Sequence, residues 1–135
     1  MTAPNVSLLD PRERHFTIES PNKGLRLFLR HLAPTRAAHD KRVVLYVHGA
    51  TFPSALSIAH RFDGVSWRDV LCAAGFDVWG LDFQGFGGSD RYPQMQEAAD
   101  ASPPLCDTAD STRQLEAAVR FICAEQHVAN VALIA

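Results

Sequence analysis

Two short apolar segments constrain the fold more than any other feature of the sequence. The segments VVLYVHG (43–49) and DVWGLDF (77–83) are rich in β-branched and aromatic residues, and they show no alternation of apolar and polar positions. Strands of this kind are buried on both faces, as in a parallel sheet that is covered by helices. Parallel neighbours need a long crossover, usually a helix. The pair therefore predicts a right-handed βαβ unit.

Helical patterns follow both segments. In SWRDVLCAAGF (66–76), Ser66 is a plausible N-cap and Gly75 a plausible stop, and the apolar positions at helical spacing are Trp67, Val70, Leu71 and Ala74. A second helix is predicted between Asp107 and His127, with capping spacing at its start. Its apolar stripe consists of Leu115, Val119 and Ile122, flanked by Ala118 and Phe121.

Further strands are predicted at both ends of this unit. HFTIES (15–20) and LRLFLRHL (25–32) flank the turn PNKG, and the second alternates leucines with Arg26 and Arg30, which is typical of a half-solvated antiparallel strand. NVALIA (130–135) is predicted to be a buried strand. The order β, β, β, α, β, α, β favours a mostly parallel, doubly wound α/β sheet with antiparallel first strands.

Charge and cysteine content narrow the possible partners. The formal net charge of −2 and the isoelectric point near 6.3 give no electrostatic basis for binding nucleic acid or an anionic membrane. Residues 1–14 lack a basic start followed by an apolar core, so no signal peptide is predicted. The three cysteines form no C-x-x-C motif, which favours reduced thiols and a cytoplasmic protein.

The first loop with unusual composition is HGATFP (48–53), which follows the strand VVLYV. Gly49 permits a tight turn, and this turn is predicted to leave the N–H groups around Ala50 and Thr51 without partners. Free N–H groups at a strand end are what a developing oxyanion requires. For His48 a structural role is favoured over catalysis, because no partner acid or nucleophile is apparent.

The second loop is LDFQGFGGSDRYP (81–93), in which two nucleotide-binding motifs fail. A dinucleotide fingerprint would need a glycine where Asp90 stands, and Pro93 prevents a helix from starting there. No Gly-Lys-Ser/Thr triplet occurs anywhere in the chain, so a phosphate-binding P-loop is excluded. No cofactor and no metal are predicted, and the glycines indicate a turn with positive φ angles.

Together the two loops resemble the front half of the α/β-hydrolase family. The resemblance rests on His48-Gly49 and on the D-x-x-G-x-G-x-S pattern formed by Asp82, Gly85, Gly87 and Ser89. It implies that the N–H of Ala50, with Thr51 as the near alternative, forms half of an oxyanion hole. It also implies that the D-x-x-G-x-G-x-S residues shape a structural turn.

The resemblance further implies what NVALIA leads to. In this family the fifth strand runs into the nucleophile elbow, and the acid and the histidine follow later. Residues 1–135 are therefore expected to be the N-terminal part of a single hydrolase domain, inactive alone. The chain would supply the oxyanion-hole loop but not the nucleophile for cleaving a small ester, amide, thioester or similar bond, as a serine-hydrolase-like or esterase-like enzyme. Phe52 and residues 91–106 are candidates for lining the substrate pocket, although the latter also fit a mobile surface loop.

Two other functions stay open from the sequence alone. The chain could be a non-catalytic, truncated hydrolase-like protein retained for binding or assembly. A flavodoxin-like or Rossmann nucleotide binder is a weaker alternative, because the glycine fingerprints fail and the first strands are antiparallel. The expected partners are a small-molecule substrate and the remaining C-terminal half of the same fold.

Overall fold

The computed structural model describes residues 10–135, so most of the segment considered for a signal peptide lies outside the described residues. Five strands and two helices follow the predicted order. They are β1 (Arg14–Glu19), β2 (Arg26–Leu32), β3 (Arg42–Val47), α1 (Trp67–Ala73), β4 (Phe76–Asp82), α2 (Thr108–Gln126) and β5 (Ala132–Ile134). Short 3₁₀ turns occupy Ser54–Leu56 and Pro93–Gln96. Neither helix of this described part is long and apolar enough to cross a membrane.

The five strands form one mixed sheet in the order β1-β2-β4-β3-β5. β1 pairs antiparallel with β2, and β2 pairs antiparallel with β4. β3 pairs parallel with both β4 and β5. The predicted α/β sheet with antiparallel first strands is confirmed. Because β3 and β4 are parallel neighbours, the loops that follow them leave the sheet at the same end, beyond the carboxyl ends of the strands.

Each face of the sheet carries its own apolar cluster. On one face α2 packs Ala118 and Ile122 against the sheet, and the strand residues buried there are Leu27, Leu29, Val43, Leu45, Trp79 and Leu81. The rings of Phe16 and Phe121 contact the fully buried Trp79. The smaller cluster on the other face consists of Leu32, Val44, Ile58, Cys72 and Val78. Both predicted central strands are thus covered on two faces.

The predicted start of α1 is confirmed. The Asp69 N–H donates to the Ser66 hydroxyl at 3.0 Å, and the Ser66 N–H donates to the Asp69 carboxylate at 2.9 Å. Burial acts to raise the pKa of Asp69, but hydrogen bonds from Arg61 and Ser66 outweigh it and lower that pKa to about 2. Gly75 follows the helix with a φ of +90°, which completes the predicted stop.

The predicted apolar stripe of α1 is wrong. Trp67 and Val70 are 52% and 56% exposed, while Arg68 and Cys72 face the interior. Arg68 is drawn inward by a buried ion pair with Glu13. Arg30 on β2, predicted to lie on a solvated face, is buried for the same reason, since it pairs with the other carboxylate oxygen of Glu13. A distant carboxylate thus overrides the local hydropathy pattern.

The prediction that NVALIA is a buried strand is also wrong for this chain. β5 pairs only with β3 through three residues and forms one edge of the sheet. Leu133 is 52% exposed, and Ala132 is exposed as well. The composition is that of a central strand, but no strand lies on its outer side among residues 10–135.

An apolar open edge predicts self-association. We expect the 135-residue chain to associate at micromolar concentration, because unpaired N–H and C=O groups beside an apolar strand are a template for pairing. Leu133→Lys should reduce this association, measured as average mass by light scattering. Thr17→Lys, on the opposite edge strand β1, is the matched control and should leave the mass unchanged. A monodisperse wild-type monomer would contradict the expectation.

Candidate functional site

The loop that follows β3 is fixed at its start by the His48 ring. The Phe83 N–H donates to Nε2 of His48 at 3.0 Å, so this nitrogen carries no proton, and Nδ1 donates to the Gly49 carbonyl at 2.6 Å. The ring is 4% exposed and contacts the rings of Phe83 and Phe86. With both nitrogens bonded to main-chain groups, His48 ties the end of β3 to the end of β4 and has no free nitrogen for general-base chemistry.

The same loop is fixed at its far end by Asp82, the last residue of β4. One oxygen of this fully buried carboxylate accepts the Ser54 N–H at 2.8 Å and the Ser54 hydroxyl at 2.5 Å. The other oxygen accepts the Gly88 N–H at 3.0 Å. Hydrogen bonds of this kind satisfy a charge that would otherwise be costly to bury. One side chain therefore fastens the loops after β3 and after β4 to each other.

The remaining residues of the D-x-x-G-x-G-x-S pattern shape the turn around Asp82. Gly87 has a φ of +47°, and a Cβ there would lie 2.0 Å from an Asp82 carboxylate oxygen. Gly85 has a φ of +87°, which also favours glycine. The Ser89 hydroxyl donates to the Asp82 carbonyl at 2.5 Å and accepts the Phe28 N–H at 2.8 Å. The two glycines thus shape the turn through their backbone angles, and Ser89 fixes it through its hydroxyl.

Between the two anchors, residues 49–52 carry the predicted oxyanion donors. Ala50 and Thr51 are exposed, and no acceptor for either N–H is found among residues 10–135. Ala50 borders a cavity of about 250 Å³, whose other lining residues are His48, Gly49, Phe83, Phe86, Leu105, Cys106 and Ser111. Thr51 does not line this cavity. Phe52 does not line it either and is 57% exposed, whereas residues 105 and 106 of the predicted pocket segment do.

A polar network holds the segment after β4 against α2. The Tyr92 hydroxyl donates to Asp110 at 2.5 Å, and Gln114 and Asn22 donate to the same carboxylate at 3.0 and 2.9 Å. Burial acts to raise the pKa of Asp110, but these hydrogen bonds outweigh it and hold that pKa below its usual range. Burial and the bond to Asp110 raise the pKa of Tyr92. Both groups therefore keep one protonation state near neutral pH and serve to position the segment.

A second cavity of about 440 Å³ lies beside this network. Leu105 and Cys106 line both cavities and so form a shared wall. The backbone of Cys106 has a φ of +54°, which an ordinary side chain seldom adopts. The second cavity carries charges of both signs, from Lys23, Arg113, Asp107 and Asp110.

The assembled groups offer backbone donors without a nucleophile–base pair. The side-chain bonds of His15, His31 and His48 go to carboxylates or main-chain groups, and no serine or cysteine within residues 10–135 bonds to a histidine. The same residues hold no group of three or more potential metal ligands. Among residues 10–135 the site therefore presents the N–H of Ala50 at the cavity, and no serine or cysteine there is paired with a histidine.

Several residues of the site were missed by the sequence reasoning. Ser54 lies just after the loop HGATFP, and its contact with Asp82 joins residues 28 positions apart. Phe83 and Phe86 could have been predicted, because apolar rings in a glycine-rich turn are expected to pack against a neighbouring surface. Ser111 lies in the first turn of α2, which is capped by Asp107, and no local pattern marks it as a residue that lines the cavity.

Comparisons with known proteins find similar structures but no similar sequence family. No protein-family model matches the sequence, and no curated protein matches it either. A hypothetical protein from Pseudomonas aeruginosa matches the structure with a TM-score of 0.63 at 15% identity, covering 95% of this chain and 36% of its own length. An epoxide hydrolase from Vigna radiata matches with a TM-score of 0.57 at 16% identity (90% and 31%). A probable hydrolytic enzyme from Pseudomonas aeruginosa PAO1 matches with 0.53 at 23% identity (90% and 32%).

The structural neighbours define the class of fold. The hydrolases among them have the α/β-hydrolase fold, and this chain has the same fold over most of its described length. The chain spans about a third of the length of these neighbours. The resemblance derived from the two loops is therefore confirmed at the level of the fold.

The geometry of the turn around Asp82 predicts that Gly87 cannot be replaced without loss of stability. Gly87→Ala should lower the free energy of unfolding by about 3 kcal/mol or more, because a positive φ and a steric clash with the Asp82 carboxylate add together. The measurement is urea unfolding followed by tryptophan fluorescence at one protein concentration. Gly24→Ala is the matched control: Gly24 also has a positive φ, of +81°, but a Cβ there meets nothing within 4 Å. Gly24→Ala should lower the free energy of unfolding by about 1 kcal/mol. Equal decreases for the two variants would contradict a steric clash at Gly87.

Proposed function

We propose that this chain supplies the oxyanion-hole loop of an α/β-hydrolase. The observation that carries the proposal is the unbonded N–H of Ala50, which borders a cavity and lies in a loop held at both ends. A donor that is already in place when charge develops needs no reorganisation during the reaction, and this makes its contribution large. Loss of one such donor typically costs about 10²–10³ in kcat.

Ala50 is the better candidate of the two predicted donors. It borders the cavity together with the aromatic rings of Phe83 and Phe86, whereas Thr51 does not. Apolar walls exclude water and strengthen the interaction of an N–H dipole with an anionic oxygen. The same walls suit a small substrate with an apolar group beside the bond that is cleaved.

The reaction in this proposal is cleavage of a small ester, amide, thioester or similar bond without a cofactor. Epoxide hydrolases and a thioesterase domain are among the structural neighbours, and hydrolytic chemistry is common to their names. The nucleophile, the acid and the histidine are proposed to come from polypeptide that would follow β5. The three free cysteines suit a reducing compartment, so a cytoplasmic location is part of the proposal.

The proposed partner of the chain is the rest of the hydrolase fold. The exposed Leu133 on the β5 edge offers a pairing surface for a further strand. The unburied face of α1, with Trp67 and Val70, offers a second exposed apolar surface. Both features are explained if additional elements cover them in the working enzyme.

The 135-residue chain alone should not be an esterase. We expect it to hydrolyse an activated ester such as p-nitrophenyl acetate no faster than buffer, because no nucleophile is paired with a base in residues 10–135. The measurement is initial rate against protein concentration, with His48→Gln as the control variant. A rate that rises with wild-type concentration, survives repurification and falls in His48→Gln would contradict the proposed division of labour.

The decisive test of the proposal lies in the coding DNA beyond the Ala135 codon. We expect a Ser, Asp or Cys within about five codons, with glycine or another small residue two positions to either side, because the elbow forces unfavourable backbone angles. An acid and then a histidine should follow downstream. In the product of that longer frame, Ala50→Pro should lower kcat by about 10²–10³ while Ala50→Gly keeps it. A frame that continues with a glycine-free polar linker, or full activity of Ala50→Pro, would overturn the proposal.

A further inference from the structure

We infer that Ser54 is a positioning residue for the Ala50 N–H. The inference rests on the proposed function for its catalytic meaning, but the geometry that carries it is independent of any reaction. Ser54 lies four residues after Ala50 and begins the 3₁₀ turn Ser54–Leu56. It is the first residue past the loop with a fixed connection to the sheet.

Every polar atom that Ser54 can direct at the core is bonded there. Its N–H and its hydroxyl both donate to one carboxylate oxygen of Asp82, at 2.8 and 2.5 Å. Its hydroxyl oxygen accepts Nε–H of Arg30 at 2.7 Å. The side chain is fully buried, so water does not compete for these bonds. The hydroxyl thus links β4, through Asp82, to β2, through Arg30.

The partners of Ser54 are themselves fixed. Arg30 donates from Nη1 to Glu13 at 2.5 Å, and its side chain is buried. Gly80 provides the space: a Cβ at that position would lie 3.0 Å from the Ser54 Cβ and 3.2 Å from the Arg30 Cγ. Ser54 and the stem of Arg30 therefore occupy the volume that any larger residue at position 80 would take.

The loop between the two anchors has little else to define its position. His48 holds the upstream end to Phe83, and Ser54 holds the downstream end to Asp82 through both its N–H and its hydroxyl. The Ala50 and Thr51 N–H groups make no hydrogen bond among residues 10–135. A short loop is oriented by its end points when its own groups are unbonded. Loosening the Ser54 anchor should therefore loosen Ala50.

The test is made by NMR relaxation on the deuterated 135-residue chain that carries Leu133→Lys, the substitution expected to reduce self-association through the exposed β5 edge. In Ser54→Ala, the hydroxyl bonds to Asp82 and Arg30 are lost while the N–H bond to Asp82 stays, so the link from the loop to β2 is broken and its link to β4 is weakened. The backbone order parameters of Ala50 and Thr51 should then fall from about 0.85 to below about 0.6. The amides of β3 and β4 provide the internal reference and should keep their wild-type values. Ser54→Cys keeps the branch at this position but replaces the hydroxyl with a larger and weaker donor, and it should give the same loosening if Ser54→Ala fails to fold.

The matched control is Ser57→Ala, which removes a hydroxyl of the same turn. The Ser57 hydroxyl donates to the Pro53 carbonyl at 2.9 Å and does not reach Asp82. This variant should keep wild-type order at Ala50. Wild-type order parameters at Ala50 and Thr51 in a folded Ser54→Ala or Ser54→Cys protein would overturn the inference.

The proposed function fails in a distinguishable way. Should Ser54→Ala loosen the loop while Ala50→Pro in the longer reading frame retains full activity, the anchoring role stands and the oxyanion assignment falls. Unchanged loop order together with a loss of activity in Ala50→Pro would remove the role of Ser54 alone.

Discussion

One buried carboxylate holds the candidate site together. Asp82 accepts hydrogen bonds from Ser54 and Gly88, and its backbone carbonyl accepts the Ser89 hydroxyl. These donors come from the loops after β3 and β4. The parallel pairing of the two strands brings both loops to the same end of the sheet. Burying an ionised group without such partners costs several kcal/mol (roughly 3–5 when one partner of a buried pair is lost). The carboxylate therefore specifies the path of both loops, because any other arrangement leaves it unpaired.

The frame of the molecule could be predicted because its signals are local. The apolar runs of β3 and β4 are consecutive in the sequence and can be recognised without any partner. Ser66 caps α1 through Asp69, which is only three residues away. The glycine-rich turn was recognised for a similar reason: the φ angles of Gly85 and Gly87 are properties of single residues. Structure that depends on residues close together in the chain can therefore be predicted from the sequence.

What could not be predicted depends on residues that are far apart. Glu13 precedes β1, yet it pairs with Arg30 on β2 and Arg68 on α1, and all three side chains are buried. This ion cluster reverses the expected exposure of Arg30 and turns Trp67 outward. Nε and Nη2 of Arg68 have no partner among the described residues, so part of the cost of burial is not recovered. The local pattern of apolar residues in β2 and α1 contains no information about the distant carboxylate of Glu13. The exposure of β5 has a related origin, because the strand has a neighbour on one side only.

The space left by Gly80 has a consequence for how sequences of this kind can change over generations. A methyl group at this position meets both Ser54 and the stem of Arg30 at distances tighter than ordinary contact. An alanine at position 80 therefore requires both of those side chains to shift or to become smaller. Conversely, losing the Arg30 side chain leaves a void that a larger residue at position 80 would fill. We therefore expect the effects of substitutions at the three positions to depend on one another, because their side chains share one space. Among related chains, we expect substitutions at positions 30, 54 and 80 to occur together.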